Sequence, residues 1–251
     1  MAEQKGLLGL EAHPATEEEF AYFLKLADSD DGYVELYVKD GIQVMSKPME
    51  NSPIKMIKVR YEFKDLAPEL IYDVLHDPLY RRTWDEHMIE GFEICTLDAT
   101  NDIGYYSVKL PFPLKNRDFV NQRSWRVTDD KEFIIFNHTV NHKDHPETSR
   151  YIRSISHITG YLLRRLDSGG TAFTYITQSD PKGWLPTWFI NKAGSHLAPR
   201  VIQNIDKVGR NYAEWKAQNH PDFKPWLKPD QMTSPKGKEH SAEKPGGYKN
   251  C

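Results

Sequence analysis

The sequence is poor in cysteine, with two in 251 residues, Cys95 and Cys251. One sits inside a strand-like stretch and the other at the chain end, so a disulfide framework is not expected, and a reducing, cytoplasmic setting is. Long apolar runs are missing too. No stretch approaches the roughly 20 apolar residues of a membrane span, and MAEQKGLLGLEAHP at the start has neither a basic region nor a sustained apolar one. Positive charge is not in excess: Lys+Arg 33 against Asp+Glu 36 leaves no field for a nucleic-acid partner. HExxH, the P-loop and GxSxG are absent, and nothing in the sequence argues for an enzyme. His138, His142 and His145 suggest a metal only at first sight. In extended chain the first two stand about 13 Å apart, too far to share an ion, so neither a metal nor a cofactor is expected.

What is present suits one globular domain. Thr16-Glu17-Glu18-Glu19 has capping-box spacing, and Phe20, Phe23, Leu24 and Ala27 then recur at helical period until the DSDDG cluster at 28–32. Three alternating runs follow: Val34, Leu36 and Val38; Ile42 and Val44; then Ile57, Val59, Tyr61 and Phe63, interleaved with charge. They predict antiparallel strands with one wet face. Pro68 and Glu69 suit a first helical turn, with Leu70, Ile71, Val74 and Leu75 as its stripe, ending near Asp77-Pro78. Further strands are predicted near 88–97, 103–110, 118–127, 132–141, 150–166 and 171–178. A long amphipathic helix comes last, with Pro186 near its start and Leu197, Val201, Ile205, Val208 and Tyr212 on one stripe, kinked at Gly194 and Pro199. The expected organisation is a flexible N-terminus at 1–15, one domain at 16–228, and a disordered Lys-, Pro- and Gly-rich tail at 229–251.

This order is an α+β plan in which one sheet needs a cover for its apolar face, and the last helix is the available cover. The later strands mix sizes and polarities. Ser154, Ser156 and Ile158 share one side, and Ile155, His157 and Thr159 the other. A tight core rarely wants that mixture; a pocket for an amphipathic ligand does.

LHDPLYRRTWDEHMIE (75–90), GYYSVKLPFPLKNRDFV (104–120) and QSDPKGWLPTWFINKAGSHLAPR (178–200) together resemble the START domain, the StAR-related lipid-transfer family, and within it the phosphatidylcholine-transfer-protein-like subgroup. The resemblance spans roughly residues 18–228. It implies a helix-grip fold, a curved antiparallel sheet wrapped around the long C-terminal helix and enclosing a hydrophobic tunnel for one lipid.

It also implies roles. The arginine of YRxxWD reaches the ligand phosphate, and the aspartate four positions on pairs with it; Arg81 and Asp85 match. An i, i+4 pair lies on one helical face, where a carboxylate can orient a guanidinium whose fork meets a phosphate. Choline-binding positions fall on Tyr106, Phe119 and His157, with Thr159 where the subgroup carries glutamine, and Leu75 on the tunnel wall. The departure at His157 and Thr159 makes a hydrogen-bonding head group such as ethanolamine plausible beside choline. Trp188, Leu197, Val201 and Ile205 belong to the expected lid and membrane-contact helix, and Trp184, Trp188 and Phe189 suit either a membrane interface or core packing of their rings. Asn116-Arg117-Asp118 is expected to fix a turn. The implied function is exchange of one glycerophospholipid between membranes by a monomer that touches membranes transiently. The rivals are a lipid-responsive regulator of a protein partner and a carrier of sterol or carotenoid.

Overall fold

A computed structural model describes residues 8–50, 52–186, 198–233 and 251. Helix α1 is Glu17–Asp28, opened by the predicted capping box: Thr16 Oγ1 accepts from Glu19 N at 3.2 Å while Thr16 N donates to the Glu19 carboxylate at 2.7 Å. Strands β1 (Val34–Lys39), β2 (Ile42–Met49) and β3 (Ser52–Phe63) follow, then helices α2 (Pro68–His76) and α3 (Pro78–Trp84). Seven strands come next: β4 (Met88–Asp98), β5 (Asn101–Val108), β6 (Arg117–Val127), β7 (Phe133–Thr139), β8 (Ile152–Arg153), β9 (Ile155–Arg165) and β10 (Thr171–Asp180). Helix α4 spans Ala198–Gln218, and a last turn, α5, spans Asp230–Thr233.

The strands form one ten-stranded sheet, nine of them in the order β1-β2-β3-β10-β9-β7-β6-β5-β4, antiparallel throughout this path, with β8 off it beside β6. The predicted run at 150–166 is broken at Ser154. Its first part, β8, pairs parallel with β6, and Ser154 N donates to Asp118 O at 2.9 Å.

Alternate residues of each strand serve opposite faces. The outer face carries Met56, Ile134, Phe136, Ile158, Leu162 and Ile176, covered by Phe20, Phe23 and Ala27 of α1. Gly160 makes this approach possible: a Cβ there would stand 2.5 Å from the Phe23 ring and 2.6 Å from Ile135 O. The inner face carries Val59, Phe63, Trp125, Ile135, Leu163 and Phe173, covered by Ile71, Tyr72 and Leu75 of α2 and Ile202 and Ile205 of α4.

Several expectations are corrected. The α4 stripe is Ile202, Ile205, Val208 and Tyr212, all buried, whereas Val201 is 42% exposed. At 3.6 residues per turn Val201 lies within the arc from Ile202 to Val208, so its exposure follows from its place in the first turn of the described helix and not from its face. Pro199 lies in the first turn of the described helix, where its missing N–H breaks no bond. Gly194, Trp188, Phe189 and Leu197 lie outside the described residues. The N-terminal stretch from residue 8 is tied down: Asn141 N donates to Leu10 O at 2.8 Å, and Gln122 bonds both the N–H and the C=O of His13. Within the expected tail, α5 is fixed by Gln231, which accepts from Lys224 N and donates to Asp222 O, both at 2.8 Å. Cys95 and Cys251 are joined as a disulfide with Cα atoms 5.1 Å apart, and Cys251 N donates to Thr96 O on the edge strand β4. Separation along the chain says little about separation in space, which is why the expectation of unpaired cysteines failed.

Candidate functional site

Helix α3 begins where Asp77 caps it and Pro78 supplies a preset φ, and it carries Arg81 toward the inner face. It stops at Trp84. Asp85 is therefore the C-cap, with φ −83 and ψ 85, and its side chain leaves the helical face. The expected ion pair does not form: no Arg81–Asp85 contact lies within 4.0 Å, and Asp85 instead accepts a hydrogen bond from the Tyr106 hydroxyl on β5 at 3.0 Å. The Arg81 guanidinium lies over the Trp84 ring at 5.2 Å, and its Nε is buried without a hydrogen-bond partner.

Around that cation stand Tyr106, Tyr161, Tyr175 and His76. Burial raises the phenol pKa of Tyr106, Tyr161 and Tyr175, and the Arg81 charge opposes the rise in each. Yet all three tyrosines keep part of their surface accessible. Desolvated hydroxyls on residues that still present surface make this stretch of the face covered by α2 and α4 the candidate site. His76 is fully desolvated, which with the charges of Arg123 and Arg81 holds its pKa well below 6.5, so the imidazole is neutral. Both its nitrogens lack partners, as do Tyr72 Oη and Trp125 Nε1 beside it.

The wall continues as a polar belt across four strands. Asn121 Nδ2 donates to Asn137 Oδ1 at 3.0 Å, and Thr139 Oγ1 donates to Asn121 Oδ1 at 2.9 Å. Thr159 Oγ1 lies 3.0 Å from Ser156 Oγ, 2.9 Å from Thr177 Oγ1 and 3.2 Å from Ser179 Oγ. Arg123 is a second inward cation, but Asp102 already pairs with it through two hydrogen bonds. Arg81 is thus the cation on this wall with no carboxylate at ion-pair distance among the described residues.

The predicted residues are brought together in part. Phe119 stands directly opposite Tyr106 in the β5–β6 register and, like it, is half-buried. Thr159 is inside the hydroxyl belt, Leu75 and Ile205 are in the core beneath it, and His157 is exposed at the rim, close enough to Asp180 and Lys182 to feel both charges. Arg117 and Asp118 are structural as expected: Arg117 donates to Pro181 O at 2.7 Å and Lys182 O at 2.9 Å, and Asp118 takes two bonds from Arg153. Tyr161, Tyr175, Thr177, Asn137 and His76 were not singled out by the sequence. Their signal, alternation in phase with Thr159 or with the α2 stripe, is ordinary core patterning until strand register is known.

Outside the sheet, a groove of about 890 Å³ is lined by Arg60, Arg164 and Arg210 among others. Each of these three is already engaged, by Asp30, by Asp28 and Glu132, and by Asp206 respectively, so none of the three is a free anchor.

A family model described as the START domain matches residues 15–215. The chain belongs to the START-domain family. Two START-domain relatives, START domain-containing protein 10 of Mus musculus and of Homo sapiens, are 39% and 38% identical over 220 residues, covering 87% of this chain and 75% of theirs. Phosphatidylcholine transfer protein of Bos taurus is 31% identical, covering 68% of this chain and 81% of its own. The START fold also matches the crystal structure of human STARD10, with TM-score 0.83, 38% identity and coverage of 90% of this chain and 91% of that one.

Proposed function

We propose that this START domain binds one glycerophospholipid between the inner face of its sheet and helix α4, with the phosphate on Arg81, and exchanges it between membranes. The observation that carries this reading is the Arg81 guanidinium on the inner wall, which has a tyrosine, Tyr161, but no carboxylate at ion-pair distance, and whose Nε is buried without a partner. A partly buried cation without a carboxylate is costly, and an entering phosphate relieves that cost through a bidentate contact. The likeness to a bovine phosphatidylcholine transfer protein supports the ligand class.

The neighbouring wall suits two head groups. Tyr106 and Phe119 offer ring faces to a quaternary ammonium, and the hydroxyls of Thr159, Thr177 and Ser179 offer acceptors to a primary one. The reading therefore covers phosphatidylcholine and phosphatidylethanolamine. The physical task is large. A diacyl lipid has roughly 30 methylenes, and at about 0.8 kcal/mol each its passage through water is opposed by about 20 kcal/mol or more. An apolar interior removes that barrier without any covalent step.

The membrane contact is assigned to one end of the sheet. Phe112 is 96% exposed and Trp184 is 74% exposed, the two most exposed large apolar side chains among the described residues. Their loops are held together because Arg117 donates to Lys115 O on one and to Pro181 and Lys182 on the other. Lys109, Lys115 and Lys182 are exposed around them, and His157 marks the rim of the inner wall at the same end. Aromatic tips ringed by lysine suit a lipid surface.

Two experiments test the reading. In transfer of fluorescent phospholipid between vesicles, Arg81→Ala lowers the rate about tenfold to hundredfold, the loss of one charge-assisted contact, with the circular dichroism unchanged; an unchanged rate refutes the phosphate role. In vesicle co-sedimentation, Phe112→Ala with Trp184→Ala lowers binding, and equal binding refutes the docking end.

A further inference from the structure

Asp77 is 2% exposed and sits at the junction of three helices. Its N–H closes the last turn of α2 on Asp73 O at 2.8 Å, and its C=O accepts from Arg81 N at 2.9 Å, the first bond of α3. Its side chain is divided. Oδ1 accepts from Leu79 N at 3.0 Å and Tyr80 N at 3.1 Å, the N-cap of the helix that carries Arg81. Oδ2 accepts from Tyr212 Oη at 3.1 Å and Lys216 Nζ at 2.9 Å, both on α4.

The rest of α3 hangs on α4 in the same way. Tyr80 Oη donates to Val208 O at 2.6 Å, its ring meets those of Tyr212 and Trp215 at 5.0 and 4.8 Å, and Asn204 reaches Trp84 O at 3.4 Å. Asp85, one residue beyond α3, is instead held by Tyr106 of the sheet. Arg81 is therefore mounted on α4, while its nearest acid is mounted on the sheet.

We propose that Asp77 is a positioning residue for the phosphate anchor, one carboxylate that sets the start of α3 and clamps α4 at Tyr212 and Lys216, so that opening of α4 and placement of Arg81 are coupled. This rests on the reading that Arg81 meets the lipid phosphate. When α4 moves, Oδ2 loses both donors and a buried carboxylate is left underbonded, which loosens the first turn of α3. Arg81 is then withdrawn from Asp85, Tyr106 and Tyr161. Entry of a phosphate resists that withdrawal, so the coupling acts on lipids that carry a phosphate and spares those that lack one.

The test uses Tyr212→Phe and Lys216→Met, which keep the packing stems, because removal of Asp77 itself risks unfolding. Transfer between vesicles is measured for phosphatidylcholine and for diacylglycerol with the same chains, and amide hydrogen exchange is followed in α3 and α4. Each variant lowers the ratio of phosphatidylcholine to diacylglycerol transfer by about fivefold or more, speeds exchange at 79–84 as well as at 208–216, and loses its effect on the ratio in an Arg81→Ala background. Arg210→Ala, on the exposed side of α4, changes none of these. If α4 amides loosen while 79–84 stay protected and both lipids change alike, α4 is clamped without reference to the anchor and the coupling is wrong. If Arg81→Ala alone transfers both lipids as the unaltered protein does, the phosphate reading itself fails and the coupling goes with it.

Discussion

The outer and inner faces of the sheet are built from alternate residues of the same strands, yet they reach different ends. Under α1 the outer face is closed: Phe23 stacks on Phe136 at 5.6 Å, Phe20 meets the same ring edge-on at 5.1 Å, and Gly160 gives up its side chain so that the helix can come down. Under α2 and α4 the inner face is dry only where Trp125, Ile135, Leu163 and Phe173 pack. Beyond them it turns polar and keeps accessible surface, with a guanidinium that no carboxylate pairs, a neutral histidine and a belt of hydroxyls and amides. Both faces bury apolar side chains, and His138 and Tyr33 leave unbonded polar atoms on the outer one too; what sets the inner face apart is that its underbonded groups stand beside tyrosines that keep accessible surface, the condition for a candidate ligand site.

The comparison breaks most visibly on the outer face. Phe23→Ala removes a fully buried ring stacked on Phe136 and costs about 3–5 kcal/mol of stability by urea unfolding. The phospholipid transfer of the remaining folded protein is unchanged; a fall in transfer without a fall in stability would mean that the outer face takes part in binding.

A smaller effect sharpens the inner side. Because the folded pKa of His76 lies well below 6.5, the unfolded chain binds a proton there that the folded chain refuses. Stability therefore declines as pH falls below about 6.5, by about 1.4 kcal/mol per pH unit for this one group, and is unaffected above it. His138 is also depressed by burial and adds its own share. His76→Phe removes the His76 share, so urea unfolding between about pH 7 and pH 5 gives a shallower slope. An unaltered slope would mean that His76 is hydrated in solution and the inner face wetter than drawn.

Much of this fold was legible in the sequence because its signals are local. The Thr16–Glu19 box, the alternation through Val59 and Phe63 and the Pro68 and Pro78 starts each need only a few neighbouring residues. The motif singled out Arg81, and the structure places it on the inner face beside Tyr106, Tyr161 and Tyr175. What failed needed register or long-range closure. Asp85 was placed on the helix with Arg81, but the helix ends one residue earlier. Val201 was read on the buried stripe of α4 when Ile202 takes that place. Tyr161 and Tyr175 approach Arg81 only because β9 and β10 pair as they do, and Cys251 meets Cys95 only because the chain end returns to edge strand β4. Alternation says that a side chain faces one side; it does not say which residues of distant strands share that side with it.

The central claim is that the inner face holds a phospholipid whose phosphate sits on Arg81. Native mass spectrometry of the purified protein, with the released lipid identified after extraction, tests it most directly. The account predicts one phosphate-bearing diacyl lipid per chain, lost or sharply reduced in Arg81→Ala. A sterol or other lipid without phosphate in that position, or the same phospholipid at full occupancy in Arg81→Ala, would contradict it.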